Sequence, residues 1–155
     1  MERFSISEVI EQAVQTEKLG YEFYTAMAEK FKNDKKLNKL FETLAAKELR
    51  HKKTFSELKD IVGDEEPYGW EDVSNYLRVI VESEFFLGKN KSLPSLKNIK
   101  TIDDAVKFAI GFEKETLLYY HTLRDVIREK DIVDEIINEE REHIMWLSEF
   151  KKGLK

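Results

Sequence analysis

Hydrophobic residues recur along this chain in steps of three and four, the spacing of one face of an α-helix. Ser5-x-x-Glu8 reads as a capping box, and the stripe Ile6, Ile10, Ala13, Glu17, Tyr24, Phe31 predicts a first helix ending near Phe31. Asn33-Asp34 interrupts it and caps a second helix from about Lys35 to Val62, with stripe Leu37, Phe41, Leu44, Glu48, His51, Phe55, Leu58, Val62. Gly63 to Gly69 reads as a turn in which Pro67 bars helix continuation. A shorter helix is expected from Glu71 to about Leu87, carrying Val73, Leu77, Ile80, Val81, Phe85 and Phe86, followed by an irregular stretch from Gly88 to Lys100 containing Pro94. Thr101-x-x-Asp104 marks a third long helix, with stripe Ile102, Val106, Ala109, Glu113, Thr116, Tyr120, Leu123, Ile127. Asp131 is the expected N-cap of the last helix, whose stripe is Val133, Ile136, Glu140, His143, Leu147, Phe150.

Short connections make the first two long helices one antiparallel hairpin and the last two another. The connection between the hairpins is roughly 40 residues, too long for a simple turn. A helix from Lys35 to Val62 is about 42 Å long at 1.5 Å per residue, a span the middle segment can retrace. The second and third long helices then run parallel, which is the ferritin-like four-helix bundle with one long crossover (about residues 63–100). The whole chain, 1–155, is expected to form a single domain of this kind. Its halves also resemble each other. Ala13-x-x-x-Glu17-Lys18 recurs as Ala109-x-x-x-Glu113-Lys114, each followed by an aromatic pair, Phe23-Tyr24 and Tyr119-Tyr120. Glu48-x-x-His51 recurs as Glu140-x-x-His143, so the chain reads as one helical hairpin used twice about an approximate two-fold axis.

Composition narrows the chemistry. The net charge is -5, with acidic and basic residues interspersed, which argues against a nucleic-acid-binding surface. There is no cysteine, so disulfides, thiolate metal sites and thiol nucleophiles are excluded within this sequence. No apolar run approaches membrane-spanning length and the first residues lack a signal-peptide core, so a cytoplasmic protein is the expectation.

Most acidic residues fall off the stripes; Glu42, Glu57, Glu139, Glu142 and Glu149 are expected to be solvated. Glu17, Glu48, Glu113 and Glu140 instead interrupt stripes that are otherwise apolar. Each would cost several kcal/mol of desolvation as an isolated ion, and four together would repel. No Lys or Arg sits on the stripes to compensate. Two divalent cations would neutralise them. Residues i and i+3 share a helix face, so Glu48 with His51, and Glu140 with His143, can serve one centre. A Glu from each of two helices plus a Glu-x-x-His from each of the other two is the di-iron carboxylate constellation. Mixed carboxylate and imidazole donors point to two iron ions per chain, with manganese and zinc as alternatives.

These motifs, spread from about Ser5 to Phe150, resemble the ferritin-like domain of the rubrerythrin family. The resemblance implies that Glu48 and Glu140 bridge two metals, that Glu17 and Glu113 are terminal ligands, and that His51 and His143 give one nitrogen each. Two departures accompany it. Rubrerythrins proper carry a cysteine-built rubredoxin-type iron site, which this sequence lacks. They also offer a carboxylate one turn after the third-helix Glu, where this chain has Thr116.

Tyr24 and Tyr120 lie two turns after Glu17 and Glu113 and are candidates to hydrogen-bond the ligands, with core packing as the plainer reading. His121 reads as a surface residue. Glu82 and Glu84 are expected in solvent or at a dimer interface, and Phe85 and Phe86 against the bundle or a second subunit. The expected function is a di-iron oxidoreductase that reduces peroxide or dioxygen with electrons from a separate donor protein, as a homodimer. Iron storage with ferrous oxidation is one alternative. A helical interaction protein with a structural metal is another.

Overall fold

A computed structural model describes residues 5–63, 66–83 and 98–154. Its elements are α1 (Ile6–Lys30), α2 (Lys35–Ile61), α3 (Trp70–Val81), α4 (Ile102–Val126) and α5 (Lys130–Lys152). Among the described residues all regular structure is helical.

Local chemistry explains most of the boundaries. Ser5 Oγ accepts the Glu8 backbone N–H at 3.1 Å, and the Glu8 carboxylate accepts the Ser5 N–H in return. Thr101 and Asp104 close the same reciprocal pair at the start of α4. Asp34 accepts the Leu37 N–H at 3.0 Å and starts α2. Gly69 precedes α3 with φ 76°, a left-handed conformation that glycine adopts without a Cβ clash, and it lets the helix begin at Trp70.

Two boundaries differ from expectation. The last helix starts at Lys130, so Asp131 lies inside its first turn rather than capping it. There its charge complements the helix dipole, while Lys130 Nζ donates to the Arg124 carbonyl at 2.7 Å and the Arg124 guanidinium pairs with Asp134 across the α4–α5 connection. The crossover helix ends at Val81, with Glu82 and Ser83 already outside it, instead of reaching Leu87. Glu84, Phe85, Phe86, Leu87, Gly88 and Pro94 lie outside the described residues.

Side-chain contacts fix the helix directions. Tyr24 and Glu17 of α1 meet Glu113 and Tyr120 of α4 in reverse order, so these helices are antiparallel. Glu48 and His51 of α2 meet His143 and Glu140 of α5 the same way. With α1–α2 and α4–α5 as hairpins, α2 and α4 are parallel, the ferritin-like arrangement. Trp70, Leu77 and Ile80 of the crossover pack at the end that holds Val9, Ile10 and Leu58, whereas Ile99 packs at the other end with Phe23, Phe41 and Ala105. The described residues on the two sides of the crossover thus lie at opposite ends of the bundle, and the described apolar core consists of two clusters with a polar layer between them. No described helix is long and apolar enough to cross a membrane.

Candidate metal centre

The polar layer contains Glu17, Glu48, His51, Glu113, Glu140 and His143, one residue from each of α1 and α4 and two from each of α2 and α5. None is more than 1% exposed. Their donor atoms form two sets, Glu17, Glu48, His51, Glu140 and Glu48, Glu113, Glu140, His143, each with all members within 4.8 Å of one another. Glu48 and Glu140 belong to both. Glu140 spans the layer: Oε1 lies 2.8 Å from His51 Nδ1 and Oε2 lies 3.1 Å from His143 Nδ1. His143 Nδ1 also faces Glu48 Oε1 at 3.3 Å and Glu113 Oε1 at 3.5 Å, while His51 Nδ1 faces Glu17 Oε1 at 3.6 Å.

Such a cluster is hard to explain as ordinary core. Buried polar atoms are almost always hydrogen-bonded, since leaving one unpaired costs about 1–3 kcal/mol. Here Glu17 Oε2, both oxygens of Glu48, Glu113 Oε2, Glu140 Oε2 and His143 Nδ1 are all buried without a hydrogen-bond partner among the described residues. Of the contacts above, His51 Nδ1 with Glu140 Oε1 is a hydrogen bond, whereas the atoms around His143 Nδ1 face one another without hydrogen-bond geometry. Lone pairs converging on two shared points are what cations require, and carboxylate oxygens with one imidazole nitrogen per set are a donor chemistry that iron or manganese accepts. The residues fit a pair of divalent metal ions.

The electrostatics agree. Burial, reinforced by the surrounding carboxylates, pushes Glu48 well above the usual carboxylate range, and burial with Glu140 does the same to Glu113. Glu140 goes the other way: burial would raise it, but His143, Glu113 and His51 together hold it well below. Burial would lower both histidines, yet Glu17 and Glu140 push His51 up to about 12, and Glu140 and Glu113 push His143 up to about 10. Without metal the layer therefore holds protons where cations would sit.

Residues around the layer hold it in place. Tyr24 Oη donates to Glu113 Oε1, and Tyr120 Oη donates to Glu17 Oε1, each at 2.6 Å. Burial, with the adjacent carboxylates, keeps both phenols well above their ordinary pKa, so the hydroxyls stay protonated and able to donate. Both tyrosines thus pair with a carboxylate as well as filling core. Thr116 is buried as well, its hydroxyl without a partner among the described residues. His121 is exposed, with Arg141 3.5 Å from its Nε2, and Glu82 is exposed, so neither joins the layer.

Two residues were not expected. Glu139 is not a freely solvated carboxylate; its side chain is only 21% exposed, 2.8 Å from His51 Nε2 and 3.2 Å from Lys47 Nζ. It sits one position before a stripe residue and is drawn inward by a partner on another helix. Gly20, one turn after Glu17, leaves room for a ligand: a Cβ there would sit 2.9 Å from Glu48 Oε2 and 3.2 Å from the Phe112 ring. Ala normally stabilises a helix interior by up to about 1 kcal/mol over Gly. In the Gly20→Ala variant that gain should be cancelled, and metal affinity should fall by roughly tenfold as the Glu48 carboxylate shifts. Calorimetric metal titration beside a thermal melt checks this; a stabilised variant with unchanged affinity would show that Glu48 needs no such space.

A profile of the rubrerythrin family matches residues 8–93 of the sequence. The chain belongs to the rubrerythrin family. That match contains Glu17, Glu48 and His51, while the second half of the layer lies beyond it and is brought in by the geometry above. Along its whole length this rubrerythrin-family chain is also similar to a solved structure from Thermotoga maritima, described as a candidate ferritin-like diiron-carboxylate protein. The superposition has a TM-score of 0.73, with 23% identity over 100% of this chain and 99% of the other. At that identity the likeness speaks for the fold. No curated protein matches the chain.

Proposed function

We propose that this rubrerythrin-family chain is a redox di-iron protein that reduces peroxide or dioxygen. The observation that carries the reading is the sharing of Glu48 and Glu140 between two buried donor sets, which suits a closely spaced metal pair rather than two separate structural ions. Glu17 and Glu113 would complete the sets as terminal ligands, with one imidazole nitrogen each from His51 and His143. When bound, a pair of ferrous ions would supply the two electrons that reduction of an O–O bond takes.

The chain's own contribution is arrangement. Tyr24 and Tyr120 keep the terminal carboxylates aimed, and the two apolar clusters keep bulk water from the layer on both sides. The carboxylates match the cation charge, so gain or loss of an electron changes the net charge of a site that is already nearly neutral. With no cysteine in the 155 residues, the reducing equivalents come from a separate donor protein. A homodimer belongs to the same proposal, supported by Tyr76 and Val79 on the outward face of α3, 48% and 66% exposed.

Anaerobic titration with ferrous iron, followed by one equivalent of hydrogen peroxide, tests the reading. Two irons per chain and a fast visible ferric absorption that a reductant reverses are expected. Two bound ions with a silent spectrum would make the site structural. Uptake far beyond two, with assembly into a cage, would make it an iron store.

A further inference from the structure

The internal repeat makes the two halves of the layer nominally equivalent, and one contact breaks the equivalence. On the α2 side, His51 Nε2 lies 2.8 Å from Glu139 Oε2. Glu139 is the residue before Glu140, so its counterpart in the first half is the residue before Glu48, which is Lys47. A lysine ammonium has donors only and cannot accept a ring N–H. His143 Nε2 is accordingly buried with no partner among the described residues, and its ring instead lies against Trp146, centroids 5.7 Å apart. Trp146 sits one turn after His143, where the His51 side has Thr54. Lys47 turns away from the layer and pairs with Glu139 Oε1 at 3.2 Å, with Arg50 3.9 Å from the same oxygen.

A ligating histidine whose second ring nitrogen donates to a carboxylate is fixed in orientation and tautomer, and its metal-facing nitrogen becomes a stronger donor. His51 has this support: its Nε2–H is committed to Glu139, leaving Nδ1 for the metal. Lys47 and Arg50 hold the Glu139 carboxylate in place from the solvent side. His143 has no such anchor, and an unpaired buried ring N–H is a standing cost at that position. We infer that Glu139 is a positioning residue that makes the two metal positions unequal, so that the His51 position fills first and tightly while the His143 position fills second and exchanges readily. The inference rests on the di-metal reading of the layer and adds an order of loading to it.

The test is an anaerobic titration of the full chain with cobalt(II), followed by its visible absorption and by calorimetry, with no activity readout needed. Wild type should show two resolved steps. Glu139→Ala should weaken the tight step by about 10–100-fold, the usual effect of losing such an outer partner, and leave the weak step where it was. Glu139→Gln, which keeps an accepting oxygen, should fall between. His143→Ala should delete the weak step and keep the tight one. Loss of general stability would shift both steps together, so a selective shift is the signature of positioning. Two equal steps in wild type, or Glu139→Ala moving both steps or neither, would overturn the inference while leaving a metal pair in place. Failure of wild type to bind two cobalt ions would overturn the di-metal reading and the inference with it.

Discussion

Glu140→Ala should bind no metal pair at all. One carboxylate reaches both histidines, Oε1 toward His51 at 2.8 Å and Oε2 toward His143 at 3.1 Å, and it belongs to both donor sets. Its loss removes a ligand from each position and the link between them. The affinity loss should exceed by far the roughly 10–100-fold typical of outer-shell partners. Glu17→Ala touches one set only and should leave one metal per chain. Folding should survive, because the two apolar clusters do not depend on Glu140. The direct structural cost is the loss of a partner for His51 Nδ1, about 1–3 kcal/mol. Metal counting after anaerobic loading, with far-ultraviolet circular dichroism as the fold check and exposed Glu142→Ala as control, decides it. Two metals retained in Glu140→Ala would show that Glu140 does not bridge.

The same residue shows why so much of the site was legible in the sequence. Glu17, Glu48, Glu113 and Glu140 stand in register with apolar neighbours, and a charge on a core face has no ordinary explanation. The internal repeat then supplied a second copy of each signal, which chance placement would not. Helix directions followed from connection lengths for a related reason: a short link permits only an antiparallel neighbour, and a long one must travel the bundle.

What escaped the sequence was set by contacts between helices. Glu139 is off its stripe by one position, so periodicity places it in solvent; its role depends on where the His51 ring points. Comparing the repeats would have flagged it, because Lys47 and Glu139 occupy equivalent places with opposite charge. Gly20 and Thr116 are likewise equivalent, and the Phe112 ring with the Glu48 carboxylate determines which can carry a side chain. The start of α5 was missed because Asp131 offers a capping side chain, yet the Lys130 and Arg124 contacts begin the helix earlier. Gly69, whose left-handed backbone turns the chain, sets the start of α3 at Trp70, within one residue of the expected Glu71.

The metal-free and metal-loaded proteins should respond to pH in opposite directions. In the absence of metal, His51 and His143 are held protonated up to about 12 and about 10, against an ordinary 6.5. The folded state then binds more protons than the unfolded chain from about pH 6.5 upward, so stability falls as pH rises. Each histidine contributes a slope of up to about 1.4 kcal/mol per pH unit through that window, and His143 gives up its share near 10. Glu48 and Glu113, also raised, add the same sign once pH exceeds the ordinary carboxylate range. Glu140 has the opposite sign, but its stabilisation is gained by about pH 4.5 and lost only on acidification, below this window. Metal ligation reverses the trend. Protons and cations compete for the same nitrogens and oxygens, so affinity rises with pH and the stabilisation from bound metal grows with it. Thermal melts from pH 6.5 to 9, without metal and with excess manganese(II) as a redox-quiet probe, should show two curves that diverge. The melting temperature should fall in the first and hold or rise in the second, with protons released on metal addition measurable in a weakly buffered solution. Parallel curves would mean that the histidines and carboxylates of this layer do not exchange protons for metal.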